Sequence, residues 1–207
     1  MKISVDQLAK KYWNQVLFKG FNYTFEGTNR YALLGANGSG KSTMLRILAA
    51  IQNASKGKIV YSQNNQEIAS ERFFNYYSIC APGIELVEEM TLEEFFKFHF
   101  SFKPLHQQVT QINELYSIIG LAAFKSKALS HFSSGMKQRV KLAQAIFTDC
   151  PILLLDEPCT NLDIQGVNQY QQWIEQYATN KMIIVASNEE REYSFCDQKI
   201  LLSDYLM

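Results

Sequence analysis

Gly35-Ala-Asn-Gly-Ser-Gly-Lys-Ser42, set between the short apolar run Tyr31–Leu34 and a helical pattern over Ser42–Ile51, is the stretch on which the fold turns. It fits the spacing G-x-x-x-x-G-K-[ST]. Its glycines let successive backbone N–H groups turn inward with no Cβ in the way, which makes a concave nest for an anion. The helix that follows aims the positive end of its dipole at the same point. Gly35, Ala36, Asn37, Gly38, Ser39, Gly40, Lys41, Ser42 and Thr43 are therefore candidate phosphate-binding residues. Lys41 has the reach for β- and γ-phosphates, and the Ser42 hydroxyl is a candidate magnesium ligand.

On either side of the loop, short apolar runs alternate with helical patterns, the mark of an α/β protein. Ile3–Leu8 and Val16–Phe25 read as strands of an N-terminal antiparallel region, and Lys58–Tyr61 as a further strand. From Thr91 to about Thr148 the pattern is mostly helical, opening on the capping-box sequence Thr91-Leu-Glu-Glu94. Ile152–Leu155, Met182–Ala186 and Lys199–Leu202 read as strands, with a helix over Asp163–Tyr177. The expectation is one domain over residues 1–207. A P-loop core with a mixed, mostly parallel sheet would carry an antiparallel β region and a helical subdomain inserted at about residues 84–148.

Ile152-Leu-Leu-Leu-Asp156-Glu157 places two carboxylates where an apolar strand leaves the core. Ligands of α/β sheets bind outside the carboxyl ends of the strands, so this pair belongs beside the phosphate loop. Asp156 suits the magnesium shell, and Glu157 suits the polarisation of an attacking water.

Between these two motifs lies Phe132-Ser-Ser-Gly-Met-Lys-Gln-Arg139. It resembles the signature of ATP-binding cassette (ABC) proteins, commonly L-S-G-G-Q followed by a basic residue, Gln and Arg. The resemblance extends along the chain. Tyr12 matches the aromatic residue that stacks on adenine, and Asn161-Leu-Asp163 matches the D-loop. In length the chain looks most like short subunits of the haem-exporter or cytochrome c biogenesis type. The resemblance implies a head-to-tail dimer, of this chain with itself or with a paralogous cassette, around two ATP molecules and Mg2+. Ser133 and Gly135 would meet the γ-phosphate held by the partner's phosphate loop. Hydrolysis at Glu157 would drive a separate membrane-spanning permease subunit from the cytoplasmic face.

Three positions depart from the family pattern. Ser134 replaces the first signature glycine. Ala81 or Pro82, within Ser78-Ile-Cys-Ala-Pro-Gly83, occupies the region of the Q-loop glutamine, and neither offers a side-chain ligand. Asn188 stands at the switch-histidine position, where its amide can hydrogen-bond a γ-phosphate but cannot titrate. The expectation is slowed hydrolysis, with Asn188 counted among the catalytic candidates beside Glu157 and Lys41. Two other readings are compatible with the departures or the family: a soluble cassette ATPase outside transport, and a nucleotide-binding regulatory module with little turnover.

Composition excludes several classes. Twenty basic residues balance twenty acidic ones, so no basic surplus points to nucleic acid. The stretch MKISVDQLAKKYW has no apolar signal core, and no apolar run nears the roughly 18 residues of a membrane span. Cys80, Cys150, Cys159 and Cys196 have no C-x-x-C spacing and read as reduced thiols rather than zinc ligands. In the aromatic helix after Thr91, spacing puts Phe95, Phe98, His99 and Phe102 on one core-facing side. Phe96 and Phe100 fall on another, the candidate docking face for the membrane partner.

Overall fold

The structure is a computed structural model that describes residues 1–13 and 15–205. Strands β1 (Lys2–Tyr12), β2 (Gln15–Glu26), β4 (Lys56–Gln63) and β5 (Gln66–Ile68) form an antiparallel sheet ordered β2-β1-β4-β5. Strands β3 (Arg30–Leu34), β6 (Tyr77–Cys80), β7 (Ile152–Asp156), β8 (Met182–Ala186) and β9 (Gln198–Leu201) form a second sheet ordered β6-β7-β8-β3-β9. Every pairing in this second sheet is parallel. The antiparallel strands thus have a sheet of their own.

The continuous apolar run of β7 follows from burial on both faces. Alternate residues point to opposite sides of a strand. Ile152 and Leu154 join the core that the parallel sheet shares with the antiparallel sheet and with helix α1 (Lys41–Leu48). Leu153 and Leu155 join the opposite core, with residues of helices α2 (Leu92–Phe102), α3 (Ile112–Ile118), α4 (Ser134–Ile146) and α5 (Ile164–Tyr177). Five residues of β7 are all buried, and the same is true of β8.

Helices α2, α3 and α4 occupy the stretch between β6 and β7. The capping box forms as expected: Thr91 Oγ1 accepts from the Glu94 N–H at 3.2 Å, and Glu94 Oε2 accepts from the Thr91 N–H at 2.8 Å. The aromatic faces of α2 are corrected. Phe95 and Phe96 are buried and Phe100 is packed against the same core, whereas Phe98 and Phe102 are exposed. Leu92 sets the phase: Leu92, Phe96, His99 and Phe100 recur at i, i+4, i+7 and i+8 and make the inward stripe, so Phe98 and Phe102 must fall outside it. A short helix, α6 (Glu190–Tyr193), follows β8.

Among the described residues no helix is long and apolar enough to cross a membrane. The four cysteines are free thiols, all buried.

Candidate nucleotide site

Because β3, β6, β7 and β8 run in one direction, their carboxyl ends share one edge. The register aligns them: Leu33 pairs with Ala186, Asp156 with Ala186, and Cys80 with Leu155. The segments that follow are the phosphate loop, Glu157, Ser187–Asn188 and Ala81–Pro82, which therefore meet at one end of the sheet.

The loop from Gly35 to Gly40 lies between β3 and α1. Gly38 and Gly40 have φ of 80° and 98°, a region that residues with a Cβ seldom enter. A Cβ on Gly40 would also come within 3.2 Å of the Leu17 side chain. Lys41, only 5% exposed, curls back to donate to the carbonyls of Gly35 at 2.7 Å and Ala36 at 3.2 Å. Burial holds its ammonium below the ordinary lysine value, against the opposing pull of Glu157 and Asp156. Thr43 lies in the first turn of α1.

Ser42 Oγ donates to Asp156 Oδ1 at 2.9 Å, joining the start of α1 to the end of β7. Burial raises the Asp156 carboxyl, the Ser42 hydrogen bond lowers it, Glu157 raises it, and Arg46 and Lys41 lower it. A hydroxyl and a carboxylate side by side are hard oxygen donors of the kind magnesium takes, the remaining ligands coming from phosphates and water. Ser39 Oγ is buried with no hydrogen-bond partner among the described residues. An orphaned hydroxyl inside the loop fits a polar group of a bound nucleotide.

Glu157 takes a left-handed backbone, φ 45°, a conformation that costs about 1–3 kcal/mol for a non-glycine residue and clusters at functional sites. Its N–H donates to the Ala186 carbonyl at 2.9 Å, and its own carbonyl accepts from Thr160 Oγ1 at 2.9 Å. Across the edge, Asn188 Nδ2 donates to Asn37 Oδ1 at 2.8 Å. The residue at the switch position therefore touches the phosphate loop directly.

Tyr12 ends β1 and is 43% exposed. Its hydroxyl accepts from Gln52, beyond the end of α1, and the Lys10 ammonium lies 4.8 Å from its ring centroid. Tyr12 is thus tied to the segment that follows the helix the phosphate loop begins.

Ser133, Gly135 and Asp163 sit elsewhere. No hydrogen bond among the described residues joins them to the phosphate loop. Ser133 caps α4, accepting from the Met136 N–H at 3.3 Å, and is exposed. Asp163 caps α5, accepting from the Gly166 N–H at 2.7 Å, and lies 3.9 Å from Arg139. A Cβ on Gly135 would come within 3.1 Å of the Asn161 carbonyl, so the start of α4 lies against the segment before α5. Phe132 and Met136 stand where the common signature has its leucine and its glutamine, two further departures.

One of the next two residues, Glu192, had no signal in the motif reading, and the other, Gln138, was matched to the signature without a role. Gln138 Nε2 donates to the Pro158 carbonyl at 2.6 Å and lies 3.8 Å from Cys80 Sγ. Glu192, buried in α6, contacts both Ser187 and Cys159. The signature spacing marked the position of Gln138, and nothing in the sequence marked Glu192.

A phosphate loop, an acidic strand end and a separate capped helix start, carried on a parallel sheet with a flanking antiparallel sheet, define a P-loop ATPase of the cassette class. The family model described as ABC transporter matches residues 18–160. Over 202 residues the chain is 33% identical to the uncharacterized ABC transporter ATP-binding protein YybJ of Bacillus subtilis, covering 94% of this chain and 89% of that protein. It is 27% identical over 184 residues to the cytochrome c biogenesis ATP-binding export protein CcmA of Saccharophagus degradans, covering 85% and 82%. A putative ABC transporter ATP-binding protein from Pyrococcus furiosus has the same fold, with a TM-score of 0.82 at 22% identity over 100% of both chains. A bacterial ABC transporter cassette solved as a dimer superposes with a TM-score of 0.79 at 20% identity, over 96% of this chain and 93% of that one. The chain belongs to the ABC transporter family and is an ATP-binding ATPase of that family.

Proposed function

We propose that this chain is the motor subunit of a transporter, a single cassette over residues 1–207 with its helical subdomain at about 84–148. Two copies, or one copy and a paralogous cassette, close head to tail on two ATP molecules. In that arrangement Gly35–Thr43 cradle the phosphates and Tyr12 stacks on adenine. Ser133 and Gly135 offer a helix start to the γ-phosphate held by the partner, and Asp163 lies in the segment that crosses between subunits. Lys41 neutralises charge on the β- and γ-phosphates, Glu157 accepts the proton of the attacking water, and Asn188 hydrogen-bonds the γ-phosphate. Ser42 and Asp156 would hold Mg2+, which supplies charge neutralisation at the phosphates when bound.

The observation that carries this reading is the convergence of Lys41, Ser42, Asp156, Glu157 and Asn188 at the carboxyl edge of one parallel sheet. The exposed surfaces of Ser133, Asp163 and Ile164, the last 77% exposed, suit a second cassette. A separately encoded membrane-spanning subunit would dock from the cytoplasmic side at Phe98 and Phe102. Their rings lie 5.1 Å apart beside a groove lined by Ile79, Ile84, His99 and Lys103.

The test is ATP hydrolysis by the purified chain and by Glu157→Gln. The expected result is turnover in the wild type and a loss of about 100-fold or more in the variant, the scale of a positioned general base. Equal rates in the two proteins would remove Glu157 from the chemistry.

A further inference from the structure

Glu192 is 3% exposed, yet it carries a carboxylate. A buried carboxylate is costly unless its oxygens are hydrogen-bonded. Both are. Oε1 accepts from the Cys159 N–H at 2.7 Å, and Oε2 is bonded to the Ser187 hydroxyl. Ser187 Oγ in turn accepts from the Glu189 N–H at 2.9 Å, and the Glu192 carbonyl accepts from the Tyr170 hydroxyl at 2.8 Å. Among the described residues no ion pair involves Glu192.

The two groups it joins belong to different loops. Cys159 lies two residues after Glu157, and its carbonyl accepts from the Leu162 N–H at 3.0 Å at the entrance to Asp163. Ser187 immediately precedes Asn188, which contacts the phosphate loop. One carboxylate therefore spans the segment holding the candidate base and the segment holding the candidate γ-phosphate contact. Burial raises this carboxyl, while its bonds to Ser187 and Cys159 pull it down.

We propose that Glu192 is a positioning residue for hydrolysis, a strut between Cys159 and Ser187 that fixes Glu157 and Asn188 in one register. It acts through those two neighbours and touches no nucleotide. The proposal rests on the site reading above, in which Glu157 and Asn188 face the γ-phosphate. A glutamine can reproduce both contacts, accepting from the Cys159 N–H and donating to Ser187. A leucine fills similar space with neither contact.

The experiment is single-turnover hydrolysis, with the full chain in excess over ATP, for wild type, Glu192→Gln, Glu192→Leu and Ser187→Ala. Misplacing a reacting group slightly costs rate far more than binding, so Glu192→Leu should lower the maximal rate by about ten-fold or more. The half-saturating concentration should move by less than about three-fold, because Glu192 touches no nucleotide and the phosphate loop that cradles ATP is unaltered. Glu192→Gln should recover most of the lost rate, and Ser187→Ala should lose part of it. Wild-type rates in Glu192→Leu, or loss in Glu192→Gln equal to that in Glu192→Leu, would overturn the proposal. Should Glu192→Leu fail to fold, Ser187→Ala decides: an unchanged rate overturns it and a reduced rate at unchanged half-saturation supports it. Glu157→Gln run alongside separates the two readings, since unchanged turnover there is a failure of the site assignment rather than of the strut.

Discussion

Asn188 is the residue on which the rate of this ATPase is expected to hinge. Its amide reaches Asn37 of the phosphate loop at 2.8 Å, so the position is wired to the site although the side chain cannot gain a proton near neutral pH. Asn188→His restores a titratable ring at that place. Hydrolysis at saturating ATP should rise by about ten-fold, within the reach of a positioned acid–base group. A rate unchanged by the substitution would mean that the asparagine limits nothing. Residues with a spacing rule were legible in advance: Lys41 and Ser42 from the glycine-rich octet, Asp156 and Glu157 from the end of an apolar run. Glu192 was not, nor was the contact made by Gln138 of the signature, because their partners at 33 and 20 residues' separation are joined only by tertiary folding. The left-handed backbone of Glu157 was also invisible, since glutamate has no preference that announces such a φ.

Helix α2 shows how far an element can be read. Its start was set by local chemistry, and the capping box is present with both reciprocal bonds. Thr91→Ala removes the cap and should cost about 1 kcal/mol, measured by urea unfolding as a lower midpoint at unchanged slope. Its faces were misread because five phenylalanines in eight residues satisfy more than one helical phase, and only packing against the core through Leu92 and Phe96 selects one. The stripe so selected brings His99 inward, bonded to Thr148 at 2.8 Å and Gln144 at 3.2 Å. Burial, aided by the Lys103 charge, lowers His99 from its ordinary 6.5 to about 4. The unfolded chain then binds a proton below pH 6.5 that the native chain refuses until pH 4. Stability should therefore rise with pH across that window and be insensitive to this group above it. His99→Gln should flatten this part of the stability–pH curve, and an unaltered curve would show that the acid sensitivity arises elsewhere.

For the whole molecule, alternating strand and helix patterns established an α/β chain with a helical stretch before β7. An antiparallel region beside a mostly parallel core was expected from pattern, but β5 and β6 were out of its reach, since they have three and four residues, too short for periodicity to speak. Parallel order is what gathers the site: four loops from distant parts of the chain meet because four strands end on the same side. The signature segment at Ser133 is left on exposed surface, away from the loop it is expected to serve, and a second cassette is what would bring the two together. The outward pair Phe98 and Phe102 belongs to the same scale. Phe98→Asp with Phe102→Asp should leave hydrolysis by the isolated chain unchanged within about two-fold, exposed substitutions being mild. The double variant should abolish co-purification with a membrane-spanning partner. Retained co-purification would place docking elsewhere.

In the proposed cycle ATP joins two cassettes across their nucleotide sites. The most direct measurement is the solution mass of Glu157→Gln, by light scattering on a size-exclusion column, with MgATP and with MgADP. A mass twice that of the 23.8 kDa chain is expected with MgATP and a single chain with MgADP, and adding Ser133→Arg should remove the dimer. A single chain in MgATP at saturating nucleotide, or a dimer indifferent to both the nucleotide and Ser133→Arg, would contradict it.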